Sequence, residues 1–161
     1  MSMTYFPRQT VLFVSNGGVC RAPMAAGVLA QLLRASDLSR AIEVGSVAVS
    51  DVHVGAAPDP LAMEVAAARG YDISEIRVRQ IQPRDFDATS VLAVDAVVLT
   101  ALRDMSPRGL GDRPQLLARY ARLGVSNIVD PYGGTTSDYE VALNLIEASC
   151  KGLVAALSSD R

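Results

Sequence analysis

The chain has no tryptophan, one histidine, one lysine and only two cysteines in 161 residues. Each shortage removes a class of protein. Cys20 and Cys150 are too few for a disulfide framework, and His53, with no cysteine or second histidine nearby, does not begin a metal site. The 15 Lys+Arg stand against 17 Asp+Glu for a formal net charge of -2, so no global field steers the molecule to a polyanion and nucleic acid is not an expected partner. No run approaches the roughly 20 apolar residues of a membrane span, and Met1 to Thr10 lacks the layout of a signal peptide. A soluble, cytoplasmic protein without a membrane partner is the expectation, and nothing in the motifs asks for a cofactor or a metal.

Half of the residues are hydrophobic, and the length suits one domain over residues 1–161 with a single substantial core. Thr10 to Val14 is an unbroken β-branched and aromatic run, the pattern of a strand buried on both faces. Pro23 fits the first turn of a following helix, whose pattern runs to about Ser36. Ile42, Val44 and Val47 mark a second strand, and Asp59 is a natural cap for a helix from Pro60 to Arg69 that Gly70 stops. Arg77 to Ile81 leads into Pro83 and reads as an ordered connection rather than a central strand. Val91 to Val94 is a third strand, Val98 to Met105 has helical spacing, and Gln115 to Leu117 is a weaker fourth strand. Ser137 with Glu140 has capping-box spacing ahead of an amphipathic helix to near Ser158. Strands alternating with helices predict an open four-stranded parallel α/β sheet with helices on both faces, with ligands beyond the carboxyl ends of the strands.

At that end of the first strand lies Ser15-Asn16-Gly17-Gly18-Val19-Cys20-Arg21. Gly17 and Gly18 lack a Cβ, so their N–H groups can approach an oxyanion. Successive inward amides form an anion nest, a helix starting near Pro23 adds its positive end, and Arg21 can fork onto two oxygens. Ser15 opens the loop where a nucleophile would be wanted. The blander alternative is a tight strand-to-helix turn with Arg21 at the surface. Elsewhere, Asp130 before Pro131 is a turn acid or a proton donor, Tyr132 an aromatic wall or a loop residue, and Asp95 a brace for the site or a helix cap. His53 suits a hydrogen-bonding loop role, Cys20 a packing or redox role, and Cys150 a buried, inert one.

Val11 to Met24 resembles the signature loop of the low-molecular-weight protein-tyrosine-phosphatase family, and Asp130-Pro131-Tyr132-Gly133 resembles that family's second signature. His53-Val54-Gly55, Gly70 to Ser74, Arg77 to Gln80, Asp85-Phe86, Val91 to Asp95 and Ser137 to Glu140 extend the likeness over nearly the whole chain in order. The resemblance implies phosphate binding by Ser15, Asn16, Gly17, Gly18, Val19, Cys20 and Arg21, and catalytic positions at Ser15, Arg21 and Asp130. It places a substrate wall at Val52 and Tyr132. Its implied partners are a phosphotyrosine protein or a small aryl phosphate, with inorganic phosphate or sulfate able to enter the loop.

The departures bear on chemistry. The family opens its loop with a nucleophilic cysteine, and here Ser15 holds that place. Gly18 stands for a bracing asparagine, Ala22 for a serine that bonds the thiolate, and Val52 for an aromatic wall. Ser15 is either a natural residue in a chain that has drifted from catalysis or a substitution made to silence the site. The family mechanism also asks Asp130 for a raised pKa, to give a proton to the leaving oxygen. Three functions follow: a phosphomonoester hydrolase scaffold inactive with Ser15 and active if residue 15 is cysteine, a non-catalytic phosphate- or phosphoprotein-binding relative, and, least favoured, an arsenate reductase, for which Cys150 is badly placed.

Overall fold

Strand β1 (Gln9–Ser15) organises the fold, because its apolar run can be buried only if neighbours cover both edges and both faces. The computed structural model describes residues 8–159. β1 pairs in parallel with β2 (Ile42–Ala48) on one side and with β3 (Ser90–Ala93) on the other, and β4 (Pro114–Leu116) adds beyond β3, for the order β2-β1-β3-β4. Successive side chains point to opposite faces. Val11 and Phe13 therefore join a core with α1 (Arg21–Ala35), α2 (Pro60–Ala68) and α4 (Thr136–Ser159), while Leu12 and Val14 join a second core with α3 (Ala96–Met105) and a 3-10 turn at Pro83–Asp87. The four-stranded parallel α/β sheet with helices on both faces is the one the alternating pattern predicts.

The chain leaves β1 for β2 on one side and later returns to β3 on the other. That reversal opens a crevice at the carboxyl end of β1, the position where such sheets bind ligands. Residues 77–81 contribute one parallel bridge, Ala48 to Gln80, and are otherwise a connection. Pro114 starts the edge strand β4, where its missing N–H costs little, and Leu117 already belongs to a 3-10 turn (Leu117–Ala121), so that strand lies one residue earlier than its apolar pattern suggests.

Asp59 caps α2, accepting from Leu61 N–H at 2.9 Å and Ala62 N–H at 3.3 Å, and Gly70 leaves the helix at φ 85°. The expected capping box at Ser137 and Glu140 is corrected by two residues. Thr135 Oγ1 accepts from Asp138 N–H at 3.3 Å while Asp138 Oδ2 accepts from Thr135 N–H at 2.8 Å. Both pairs have the right spacing; the turn decides, since Gly134 N–H bonds Pro131 O at 2.8 Å and delivers Thr135 to the helix entrance. By length and composition α4 is apolar enough to cross a membrane, which corrects the expectation that no segment is. Its apolar content has a use within the fold: Tyr139, Ala142, Leu143, Ile146, Cys150, Leu153 and Leu157 are buried in the core shared with α1 and α2.

Close packing of α4 depends on Gly152. A Cβ there would lie 1.9 Å from the Tyr120 carbonyl oxygen and 2.8 Å from its carbon, both backbone atoms. Alanine in a helix interior normally gains about 1 kcal/mol over glycine, whereas overpacking costs about 1–3 kcal/mol. Because rigid backbone is struck, the clash wins: Gly152→Ala is expected to lower stability by about 1–2 kcal/mol in urea unfolding, and a stabilised variant would contradict this packing.

Candidate active site

Five residues separate the end of β1 at Ser15 from the start of α1 at Arg21, and several carbonyls along this turn are hydrogen-bonded. Ser15 O accepts from Val49 N–H and Asn16 O from Ser50 N–H, both at 3.0 Å, Val19 O from Asp59 N–H at 2.9 Å, and Cys20 O from Met24 N–H at 3.1 Å. Three of these carbonyls, those of Ser15, Asn16 and Val19, are thus held by segments outside the loop. Gly18 N–H donates to Ser15 Oγ at 3.1 Å. Among the described residues, those of Asn16, Gly17, Val19, Cys20 and Arg21 meet no acceptor in the chain. Cys20 gives α1 no side-chain cap, and no acidic residue sits in its first turn, so the positive end of this helix faces the loop.

Gly18 takes φ 76°, and a Cβ there would come within 2.8 Å of Ala48 Cβ and 3.0 Å of Val78 Cγ1. Glycine is thus required twice, by the turn and by neighbours that fill the space a side chain would use.

Arg21 is not a surface residue. Its side chain is 5% exposed; Nη1 donates to Asp95 Oδ2 and Ile128 O, each at 2.7 Å, and Nη2 lies 3.7 Å from Asp130 Oδ2. Asp95 serves as both brace and helix cap, one oxygen for each task, since its Oδ1 accepts from Val98 N–H at 2.8 Å at the start of α3.

Ser15, Asn16, Gly17, Gly18, Val19, Cys20, Arg21, Asp130 and Tyr132 line one cleft of about 150 Å³ together with His53. Asp130 is held by an Asx turn, its Oδ1 accepting from Tyr132 N–H at 3.1 Å. Val52 is 74% exposed in the turn through Asp51 to Gly55 and is not among the residues lining the cleft, whereas the next residue, His53, is. His53 lies over Gly17 and faces Tyr132 with ring centroids 6.4 Å apart. Periodicity offered no signal for His53, since irregular turns have none.

A second network lies behind the loop. Tyr139, fully buried, donates to Asp59 Oδ1 at 3.0 Å, and the Cys20 thiol reaches the Tyr139 hydroxyl at 3.7 Å. The cap of α2, the loop and α4 are thereby tied together, and only the cap was evident from the sequence.

Burial pushes the Cys20 thiol from 9.0 up to about 12, assisted by the charges of Asp59 and Asp130 and opposed by the Tyr139 hydrogen bond and Arg21. Burial also raises Cys150, whose sulfur points to Ala25 O and away from the cleft. Cys20 is thus a packed, protonated thiol at neutral pH. At pH 8 its thiolate is about a thousandfold rarer than in an exposed cysteine, so iodoacetamide is expected to label neither cysteine until urea unfolds the chain. A proton held in the fold but released by the unfolded chain stabilises below pH 9, and that contribution falls as pH rises from 9 toward 12. A second prediction concerns Asp95. Asp95→Ala leaves a buried guanidinium with a carbonyl as its close partner and uncaps α3, so urea unfolding is expected to show a loss of about 3–5 kcal/mol; a loss under about 1 kcal/mol would mean that only the cap mattered.

The profile of the family described as low molecular weight phosphotyrosine protein phosphatase matches residues 10–161. The low molecular weight protein-tyrosine-phosphatase of Streptomyces coelicolor is 33% identical over 160 residues, covering 96% of this chain and 94% of its own. The low molecular weight phosphotyrosine protein phosphatase of Sus scrofa is 31% identical, covering 91% and 94%. The crystal structure of YfkJ from Bacillus subtilis superposes with a TM-score of 0.91 at 26% identity, covering 97% of this chain and 98% of that one. A cleft at the head of α1, a buried arginine lining it and matches along almost the full length agree: the chain belongs to the low molecular weight phosphotyrosine protein phosphatase family.

Proposed function

We propose that this chain holds the phosphoryl group of a phosphotyrosine protein or small aryl phosphate in the Ser15–Arg21 loop, and that with a hydroxyl at position 15 it hydrolyses such esters negligibly. The observation that carries this reading is one cleft lined by five residues whose N–H groups have no acceptor among the described residues, together with one buried guanidinium, enough donors to answer a single tetrahedral oxyanion. Inorganic phosphate and sulfate offer the same oxygens and enter the same way. In this reading Arg21 and the amides bear on the equatorial oxygens, Asp130 at the mouth stands on the leaving-group side, and Tyr132 and His53 flank the organic part of the ligand.

The step that fails is nucleophilic attack. A thiol begins near a pKa of about 8.5 and a nest of donors lowers it readily, but a hydroxyl needs a base to take its proton. Among the described residues Ser15 Oγ has a donor, Gly18 N–H, and no carboxylate or imidazole hydrogen-bonded to it. Recognition therefore survives where turnover does not, and a phosphoprotein-binding role in a cytoplasmic setting belongs to the same proposal.

The test pairs this chain with Ser15→Cys. Inorganic phosphate is expected to shift the amide resonances of Gly17 and Gly18 in both, with similar affinity, while p-nitrophenyl phosphate turnover rises by about a hundredfold or more in the cysteine form. Turnover by the serine chain comparable to the cysteine form would overturn the loss of catalysis. Unmoved glycine amides would overturn anion binding.

A further inference from the structure

Beside the anion cleft lies a second concavity of about 500 Å³, with Val125, Val129, Pro131, Val141 and Leu145 on its walls. Val129 and Val141 are 77% and 62% exposed. Valines this open, gathered along one concave surface, mark a place for another molecule rather than scattered apolar residues. The two concavities are not independent, because Asp130 and Tyr132 line both. They also share a backbone: Ile128 lines the groove, and its carbonyl oxygen accepts the Arg21 N–H at 2.7 Å.

Charge narrows what could lie there. Asp130 and Asp138 are the charged groups of the groove, and no lysine or arginine lines it. Asp138 is turned to Thr135, whose N–H and hydroxyl it accepts. An acidic side chain would meet two carboxylates and no cation, whereas an apolar one would cover the valines without disturbing either. A free small phosphate has nothing to place in such a groove; a phosphorylated polypeptide does. An extended chain advances about 3.3 Å per residue, so a residue a few positions from the phosphorylated one reaches past the shared wall.

Resting on the phosphoryl reading above, we infer that the groove is the docking subsite for an apolar side chain near the phosphorylated residue of a protein ligand. The cleft and the groove then make a two-point site: the loop reads the phosphoryl group, and the groove reads the sequence around it. Most of the discrimination between phosphoproteins falls to the groove, since every phosphoryl group looks alike to the loop.

Seven-residue, fluorophore-labelled phosphotyrosine peptides test this by fluorescence anisotropy, with one leucine moved through each position of a serine and glycine background. At one or more positions leucine is expected to tighten binding about tenfold over the leucine-free peptide, the scale of burying most of that side chain. Val129→Asp and Val141→Asp change exposed positions outside the loop; each is expected to erase the gain and leave inorganic phosphate affinity unchanged. The inference is overturned if no leucine position exceeds the reference by about threefold while phosphate still moves Gly17 and Gly18, or if the gain survives both aspartates. If phosphate does not move those glycines, the anion reading fails first and this one falls with it.

Discussion

A guanidinium buried at the floor of the cleft sets the terms for everything around it. Taking a charge out of water costs several kcal/mol unless good partners replace the water, and Arg21 has two at 2.7 Å, a carboxylate from the head of α3 and the carbonyl of Ile128. Those partners are themselves fixed. Asp95 is held by Val98 N–H, and Ile128 is clamped on both sides, its carbonyl by Arg21 and its N–H by Val94 O at 3.0 Å. Val94 N–H in turn donates to Val14 O at 3.1 Å, one residue before the loop. A closed circuit thus runs from β1 through the end of β3 to the 128 segment and back through the arginine. It is this circuit that brings Asp130 and Tyr132, more than 100 residues away in sequence, to the mouth of the cleft.

On the proposed reading, binding and bond-breaking are separable because they call on different parts of the loop. The nest is made of backbone, and its shape is set by the carbonyl bonds to Val49, Ser50 and Asp59, by Gly18 packed on Ala48 and Val78, and by the Tyr139 network behind Cys20. None of these depends on the side chain at position 15. A serine can therefore occupy that position, accept the Gly18 N–H and leave the surrounding geometry intact. Attack on phosphorus depends on a proton leaving that side chain, and backbone cannot supply a base.

The parts of this molecule that were legible in the sequence are those governed by local rules. The β1 run, the Asp59 cap, the Gly70 stop and the glycine pair before Arg21 each carry their own pattern, and the parallel α/β class follows once the elements alternate. What was not legible depends on which of two locally equal options the tertiary structure selects. Thr135 and Ser137 both offer a cap with an acid three residues on, and the Gly134 turn chooses between them. Val52 and His53 sit in one irregular turn, so no period says which faces inward. Asp95 shows a limit of another kind: brace and cap looked like alternatives, yet a carboxylate has two oxygens and one serves each. The role of Ile128 was beyond reach altogether, since it is exercised by a backbone carbonyl and any residue would have one.

Preorganisation of this kind is carried by the fold as a whole. Five amides without an acceptor among the described residues, together with a buried cation, are a concentration of positive potential that the sheet and the carbonyl bonds of the loop must hold in place. An unfolded chain has no such nest, so an oxyanion that enters it binds the native state alone and stabilises that state by mass action. Recognition and stability are then one property measured in two ways. The same reasoning extends along the 128–132 segment, where one side of the backbone holds Arg21 and the other walls the apolar groove. Because Ile128 O accepts the Arg21 N–H while Asp130 and Tyr132 line both concavities, the backbone that holds the guanidinium also shapes the groove.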